Sequence, residues 1–172
     1  MRQRRIYIIG GLIFLLVTAT ALWKEVLRAG SFEVTFFNVQ QGDAAFILTP
    51  QGHQIVIDGG PDNTILEKLA KKIPFWDKTI DMVILSHPAK DHVAGLLDVL
   101  QKYQVQTIMW TGVEKDTEIF EEWERAFAKE RDEGAKILLL SGPQSISLGK
   151  GFCPQRMDIL FPLEDLTGKL VE

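Results

Sequence analysis

Cysteine and histidine are scarce in this chain, and their scarcity limits the chemistry that it can support. Cys153 is the only cysteine, so no intramolecular disulfide can form and the redox compartment cannot be inferred. Histidine occurs three times, as His53, His87 and His92. Internal repeats and low-complexity segments are absent as well, which excludes solenoid architectures and compositionally biased tails.

Basic side chains are too few in the main part of the chain to balance its acidic ones. After residues 1–30, the sequence carries 14 Lys and Arg against 22 Asp and Glu, a balance of −8. Such a domain gains little from counterion release, so broad, sequence-independent affinity for nucleic acid is not expected. A polyanionic substrate would require a bound metal ion or a local basic patch.

Charge is missing altogether from the N-terminal run Ile6 to Trp23, which is 18 residues long. That length is near the lower limit for a helix that crosses a hydrocarbon core of ~30 Å. Basic residues flank the run on both sides, namely Arg2, Arg4, Arg5 and Lys24. We therefore expect one transmembrane helix within residues 1–30, with its N-terminus cytoplasmic and the soluble domain extracytoplasmic.

A cleaved signal peptide is the alternative for this segment, because Ala19-Thr20-Ala21 has the small-x-small pattern that signal peptidases accept. The protein would then be secreted. The length of the apolar run and the helix-forming residues 24–28 that continue it favour a retained anchor. In either case the apolar segment makes the membrane a partner of the chain.

The 142 residues from 31 to 172 alternate strand-like and helix-like patterns and are enough for one core. The apolar periodicity predicts a layered α/β domain with helices over a mixed sheet. Pro50 to His53 is a turn-rich linker that suits a hairpin. The predicted strands are 33–39, 44–49, 54–58, 82–86, 106–110 and 136–140, with weaker ones at 146–148 and 157–161, and the predicted helices are 64–72, 93–103 and 116–131.

The stretch Ser86 to Gly95, Ser-His-Pro-Ala-Lys-Asp-His-Val-Ala-Gly, directly follows the apolar strand at 82–85. It places two imidazoles and a carboxylate within six positions, where a buried strand should lead into a helix. Neutral imidazole and carboxylate are the groups that bind Zn²⁺ and similar cations. This pattern indicates a metal site.

Three ordered stretches resemble the metallo-β-lactamase superfamily, whose motif is His-x-His-x-Asp-His, and within it the soluble domain of ComEC-type competence proteins. They are Asn38 to Ala44, Asp58-Gly59-Gly60 and Ser86 to Gly95. The resemblance covers roughly residues 32–161. It implies the N-terminal portion of an αββα sandwich in a bacterial, metal-dependent hydrolase acting on phosphodiesters of DNA or nucleotides, with a membrane channel as a partner.

The same resemblance implies the roles of individual side chains. It implies His87, Asp91 and His92 as metal ligands, with Asp91 also catalytic, for a divalent cation that is zinc or, failing that, manganese. It places Asp58 and Asp43 beside these ligands. Each assignment has an alternative without metal: Asp91 would cap the following helix, Asp58 would form an Asx-type turn, and the histidines would be remnants of an ancestral site.

The sequence departs from the family pattern in two ways, and these departures lead to two functional hypotheses. Ala89 stands where the family has a ligand, and an alanine methyl cannot bind a metal. The family's later Thr-Gly-Asp strand has no counterpart before Glu172, so we expect a domain cut short at its C-terminus, with one face of its sheet exposed. The first hypothesis is the membrane-anchored hydrolase; the second is a degenerate domain that serves as a binding module at the cell surface. Substrate and oligomeric state stay open.

Overall fold

The computed structural model describes residues 2–28, 30–148 and 155–171. Helix α1 spans Arg2–Arg28, which confirms the helical conformation expected for the N-terminal run. In the part of the chain that the structure describes, no helix is both long and apolar enough to cross a membrane. The transmembrane helix predicted over Ile6 to Trp23 is therefore not found there.

The elements after α1 follow the predicted alternation closely. In chain order they are β1 (Glu33–Phe36), β2 (Ala45–Leu48), β3 (Gln54–Ile57), α2 (Thr64–Leu69), β4 (Thr79–Ile80), β5 (Met82–Leu85), α3 (Lys90–Lys102), β6 (Gln104–Val105), β7 (Thr107–Trp110), α4 (Glu118–Asp132), β8 (Lys136–Leu139), β9 (Gln144–Leu148) and β10 (Gln155–Ile159).

Six of the strands form the main sheet, in the spatial order β1-β2-β3-β5-β7-β8. The first three pair antiparallel, and the remaining pairs are parallel because a helix returns the chain between them. The predicted hairpin turn is present between β2 and β3, where the Thr49 N–H donates to the His53 carbonyl at 3.0 Å. The mixed α/β class is confirmed.

Helices α2, α3 and α4 cover one face of this sheet and enclose the main core. Trp123 and Leu96 are fully buried between the helices and the sheet, and Phe46 and Ile108 meet them from the strands. These residues recur at helical spacing on the helices and at alternate positions on the strands, so periodicity alone predicts which side chains enter the core.

The hairpin formed by β9 and β10 lies on the other face of the sheet. It buries Ile55, Met82, Ile84 and Met109 against Leu148. The expectation that this face is exposed is therefore wrong for the centre of the sheet, because the two weakest predicted strands pair with each other and cover it. Toward edge strand β1, the apolar side chains of residues 32, 34 and 36 stay exposed.

The two ends of the main sheet differ in what they display. The motif end contains the loop 38–43, residues 58–60 after β3, and residues 86–92 after β5. The opposite end contains the starts of β1, β3 and β5, with the turns 49–53 and 74–79. Because β1, β3 and β5 run in one direction, the three family-like stretches all emerge at the motif end.

Candidate metal site

Backbone hydrogen bonds join the three family-like stretches into one structure at the motif end. The Gly59 N–H donates to the His92 carbonyl at 2.8 Å, and the Gly60 N–H donates to the Asp43 carbonyl at 3.0 Å. The Gly95 N–H in turn donates to the Gly60 carbonyl at 3.0 Å. Segments that are up to 50 residues apart in sequence therefore share one local framework.

Close contact between backbones requires glycine in this framework, as Gly95 and Gly42 show. A Cβ atom at Gly95 would lie 2.0 Å from the carbonyl oxygen of Gly59. A Cβ at Gly42, which has φ +82°, would lie 2.0 Å from the carbonyl oxygen of Asp91. No side chain fits at such distances, so the glycines of the sequence pattern act by permitting close approach.

Asp58 is the buried centre of the site. The Ser86 N–H donates to its Oδ1 at 2.8 Å, and the Ser86 hydroxyl donates to its Oδ2 at 2.6 Å. Asp58 adopts φ 55°, a left-handed conformation that is uncommon outside glycine and is found where neighbouring contacts hold it in place. The Asx-turn alternative is not observed, because these partners lie 28 residues away in sequence.

His92 is held by the same carboxylate. Its Nδ1 lies 2.9 Å from Asp58 Oδ2, and only 7% of the residue is exposed. A carboxylate only accepts, so Nδ1 carries a proton, and the neutral form of the ring has its lone pair on Nε2. That nitrogen lies 4.0 Å from Asp91 Oδ1. Histidines that bind metals are commonly oriented by such a carboxylate.

His87 belongs to the network through Ser86. The Ser86 hydroxyl proton is already donated to Asp58, so its oxygen accepts from His87 Nδ1, which lies 3.0 Å away. In its neutral form, the His87 ring therefore also has its lone pair on Nε2. The two imidazole rings are 4.0 Å apart between centroids and are tilted by 54°. The structure thus brings both predicted histidines and Asp58 together.

The other predicted residues have different environments. Helix α3 begins at Lys90, so Ala89 is its N-cap and makes no side-chain capping hydrogen bond. Asp91 lies in the first turn, and the alternative in which it caps the helix is wrong. Asp43 is exposed and contributes its backbone carbonyl to the framework, while its predicted place beside the ligands stays a prediction.

The donor set fits a divalent cation in kind but not in number. Imidazole Nε2 and carboxylate oxygen are suitable ligands, and Asp91 and His92 offer one of each side by side. Among the residues that the structure describes, however, no group of three or more His, Cys, Asp or Glu side chains could hold a metal ion. With two such donors side by side, the described site is one protein ligand short of the three that a catalytic zinc ion commonly has.

A cleft of about 390 Å³ lies next to this network, and sequence reasoning missed it. Its walls come from the motif, from the segment after β7 and from the chain near the C-terminus. The lining residues are Ser86, His87, Pro88, Ala89, Thr111, Val113, Lys115, Phe161, Leu166 and Val171. Only the fold brings these stretches together, because no local pattern links residues 111–115 to residues 161–171.

Comparison with known proteins agrees with the geometry of this end. The model of the family described as the metallo-beta-lactamase superfamily matches residues 38–153, which include all three stretches. No curated protein sequence matches the chain. The matched region extends from the loop after β1 to the segment between β9 and β10.

Proposed function

We propose a function from the premise that the chain belongs to the metallo-β-lactamase superfamily. In this proposal it is a metal-dependent hydrolase of the ComEC-like type, acting on phosphodiesters of DNA or nucleotides. Asp91 and His92 bind the divalent cation, with zinc as the first candidate and manganese as the second. The expected role of His87 as a third ligand stays a prediction, and His87 also lies at the cleft among the polar groups that face a substrate.

The observation that carries the proposal is the hydrogen-bond chain from His87 through Ser86 to Asp58 and His92. Burying a carboxylate costs free energy, and here two side chains and a backbone N–H are arranged to compensate for it. Such a network indicates a functional role. Here its effect is to fix both imidazoles with Nε2 as the lone-pair nitrogen. That is the form in which histidine binds a metal.

A cation held by Asp91 and His92 would supply Lewis-acid chemistry: it would activate water as a nucleophile at neutral pH and would stabilise negative charge on the phosphoryl oxygens. The residues of the chain supply orientation. Asp58 holds the His92 ring in place, and the rigid framework of glycine contacts keeps Asp91 beside it. His87 lines the cleft, where it can donate a hydrogen bond to a substrate oxygen when it is protonated.

The charge of the domain limits the substrate. Its balance of −8 after residue 30 opposes extended polyanions, so positive charge near the site must attract the phosphate. Lys115 lines the cleft, and Lys90 is exposed at the start of α3. This distribution favours a short phosphodiester or a nucleotide over duplex DNA bound along its length.

A binding module is the second candidate, and a separate observation favours it. Ala89 adds a methyl group to the cleft at the position where the family has a ligand, and Phe161, Leu166 and Val171 make much of the remaining lining apolar. A cleft of about 390 Å³ with a few polar groups is of a size that suits a small ligand. In this candidate the chain binds but does not hydrolyse.

The proposed location is the outer side of a cell membrane. The α1 side chains at Tyr7, Phe14, Leu16 and Trp23 are each more than 60% exposed, which suits contact with lipid better than contact with water. The arginines at the start of α1 favour a cytoplasmic N-terminus. The proposal also includes a membrane channel as a partner. For the fold, it includes an αββα sandwich in which β9 and β10 start the second sheet.

Metal titration of the full chain tests the function. We expect zinc or manganese binding by calorimetry and metal-dependent hydrolysis of bis(p-nitrophenyl) phosphate. His92→Ala should abolish both, and Asp58→Asn should weaken metal binding by about 10–100-fold because it releases the orienting contact. His53→Ala is the matched control, since His53 also faces a carboxylate, Asp81 at 3.4 Å, but lies at the opposite end.

The outcome decides between the two candidates. If wild type binds neither metal and His92→Ala changes nothing, the hydrolase is excluded and the binding module replaces it. If metal binds but no phosphodiester is cleaved, the metal site stands and the proposed substrate class is wrong.

A further inference from the structure

Two large aromatic side chains stand exposed at the opposite end of the sheet, where local structure gives no reason for them. Phe75 is 81% exposed and Trp76 is 66% exposed. They occupy the tip of a turn in which the Asp77 N–H donates to the Pro74 carbonyl at 2.9 Å. Glycine, asparagine and aspartate are the usual residues at such positions, because they suit turn geometry and solvent.

The turn that carries this pair is well anchored. Asp77 accepts a hydrogen bond from the Gln54 side chain at 2.6 Å and another from the Thr79 N–H at 3.0 Å. The two rings contact each other edge to face, with centroids 4.9 Å apart. The aromatic surface is therefore presented in a defined orientation, and it does not fold back onto the core.

Two exposed lysines flank this aromatic tip in the chain, although the domain as a whole is acidic. Lys71 and Lys78 are exposed on either side of it. Asp77, the acidic residue within the turn, is half-buried and engaged by Gln54. The surface that an approaching partner meets is thus apolar at the centre and positive at the rim.

The chain enters the domain from α1 at this same end. Arg28 ends α1 and Glu33 begins β1, so their Cα atoms can be at most about 18 Å apart. Lys72, three residues before Phe75, forms an ion pair with Glu33. The aromatic turn is therefore tied to the start of β1, five residues after the end of α1.

We propose that Phe75 and Trp76, with Lys71 and Lys78, form a lipid-contacting surface that seats this end of the domain on an anionic membrane. Tryptophan is enriched at the boundary between headgroups and acyl chains, and lysines beside it are attracted to anionic lipid. The motif end then faces away from the bilayer, open to substrate. The inference rests on the proposed membrane association, which supplies the bilayer next to α1.

Tryptophan fluorescence of the full chain on vesicles tests the surface. In a Trp23→Phe background, Trp76 is the only exposed tryptophan of the remaining three, since Trp110 and Trp123 are buried. Vesicles of phosphatidylcholine and phosphatidylglycerol carry bromine either high or low on the acyl chains. We expect a blue shift of Trp76 emission and strong quenching by the shallow bromines, with weaker quenching by the deep ones.

Variants that remove the lysines or an aromatic ring distinguish binding through this surface from nonspecific adsorption to vesicles. The double variant Lys71→Gln and Lys78→Gln should reduce quenching on anionic vesicles to the level seen on pure phosphatidylcholine. The control is Lys169→Gln, which should have no effect because Lys169 lies in the C-terminal segment, where it is exposed and pairs with Glu164. Phe75→Ser should reduce the quenching of Trp76 by at least about twofold, because the pair loses half of its apolar surface. Leu163→Ser, which removes a side chain that is 75% exposed elsewhere, is the matched control.

Flotation of the same samples on a density gradient distinguishes a failure of membrane association from a failure of the lipid-contacting surface. If the protein floats with the vesicles but Trp76 stays unquenched, membrane association stands and the lipid-contacting surface is wrong. If the protein does not float and Trp76 stays unquenched, both are wrong. Quenching that is equal for wild type and the double lysine variant would overturn the electrostatic part of the proposal.

Discussion

The two ends of the main sheet break the usual rule of burial in opposite ways. At the motif end, the charged Asp58 and the polar His92 are buried among backbone carbonyls and glycines. At the opposite end, Phe75 and Trp76 are exposed on a hydrogen-bonded turn. Each arrangement lowers stability compared with the ordinary one, because buried polar groups and exposed aromatics both carry a free-energy penalty.

The difference indicates two kinds of task. A buried hydrogen-bond network fixes the direction of a few atoms, which metal or substrate binding requires. An exposed aromatic and basic surface has no such precision and suits a fluid, extended partner. Departures from the burial rule are expected at functional places, and here they concentrate at the two ends of one sheet.

The largest effect should follow from filling the glycine contact at the motif end. Gly95→Ala places a Cβ 2.0 Å from the Gly59 carbonyl oxygen, although alanine favours helix over glycine by about 1 kcal/mol. We expect a loss of about 3 kcal/mol or more in the free energy of unfolding, measured by urea denaturation. Gly142→Ala, whose Cβ would meet nothing within 4 Å, should change it by less than about 0.5 kcal/mol. An equal change in the free energy of unfolding for the two variants would contradict the requirement for glycine at the motif end.

A smaller effect should come from Ala89, which is the N-cap of α3 and stands at the position where we expect the family to have a ligand. Ala89→Asp should stabilise the chain by about 1 kcal/mol without metal, because aspartate accepts from the free N–H groups of the first turn. Ala89→His supplies a ligand but is a poorer cap. We therefore expect both variants to bind zinc more tightly than wild type, and only Ala89→Asp to raise the melting temperature in the presence of a chelator. Unchanged zinc affinity in both would mean that position 89 lies outside the site.

The smallest effect concerns Glu130, a carboxyl buried at the opposite end of the domain on α4. Burial raises the pKa of Glu130, and a hydrogen bond from the Val105 N–H offsets part of the shift. A raised folded-state pKa means that the folded state binds the proton more tightly, so stability is present below the unfolded pKa and is lost as pH rises through the folded one.

Replacing Glu130 by glutamine should remove this dependence. We expect Glu130→Gln to gain less than about 1 kcal/mol over wild type as pH rises from about 4.5 to 7, measured by urea unfolding at each pH. Glu124→Gln, an exposed glutamate earlier on α4, is the control and should track wild type throughout. A wild-type stability that rises relative to Glu130→Gln over this range would show that the sign is wrong.

The sequence by itself determined the elements and the place of the motif. Each helix and strand depends on a local repeat of apolar residues, so α3, α4 and the strands of the main sheet could be predicted within a few residues. The stretch 86–95 was recognisable because its ligand-type residues are neighbours in the chain. The resemblance to the metallo-β-lactamase superfamily depended on such local stretches in order, and the family match confirms it.

Contacts between distant segments were decided only by the tertiary structure. The bond between Asp58 and His92 joins residues 34 positions apart, and no local pattern distinguishes it from an Asx turn. The start of α3 at Lys90, which makes Ala89 the cap, depends on how the loop leaves β5. The position of Phe75 and Trp76 beside the entry of α1 follows from the strand order. The periodicity of apolar residues predicts which side of the sheet a residue faces. The partner that the residue contacts depends on packing between segments that are distant in sequence, so a local pattern cannot predict it.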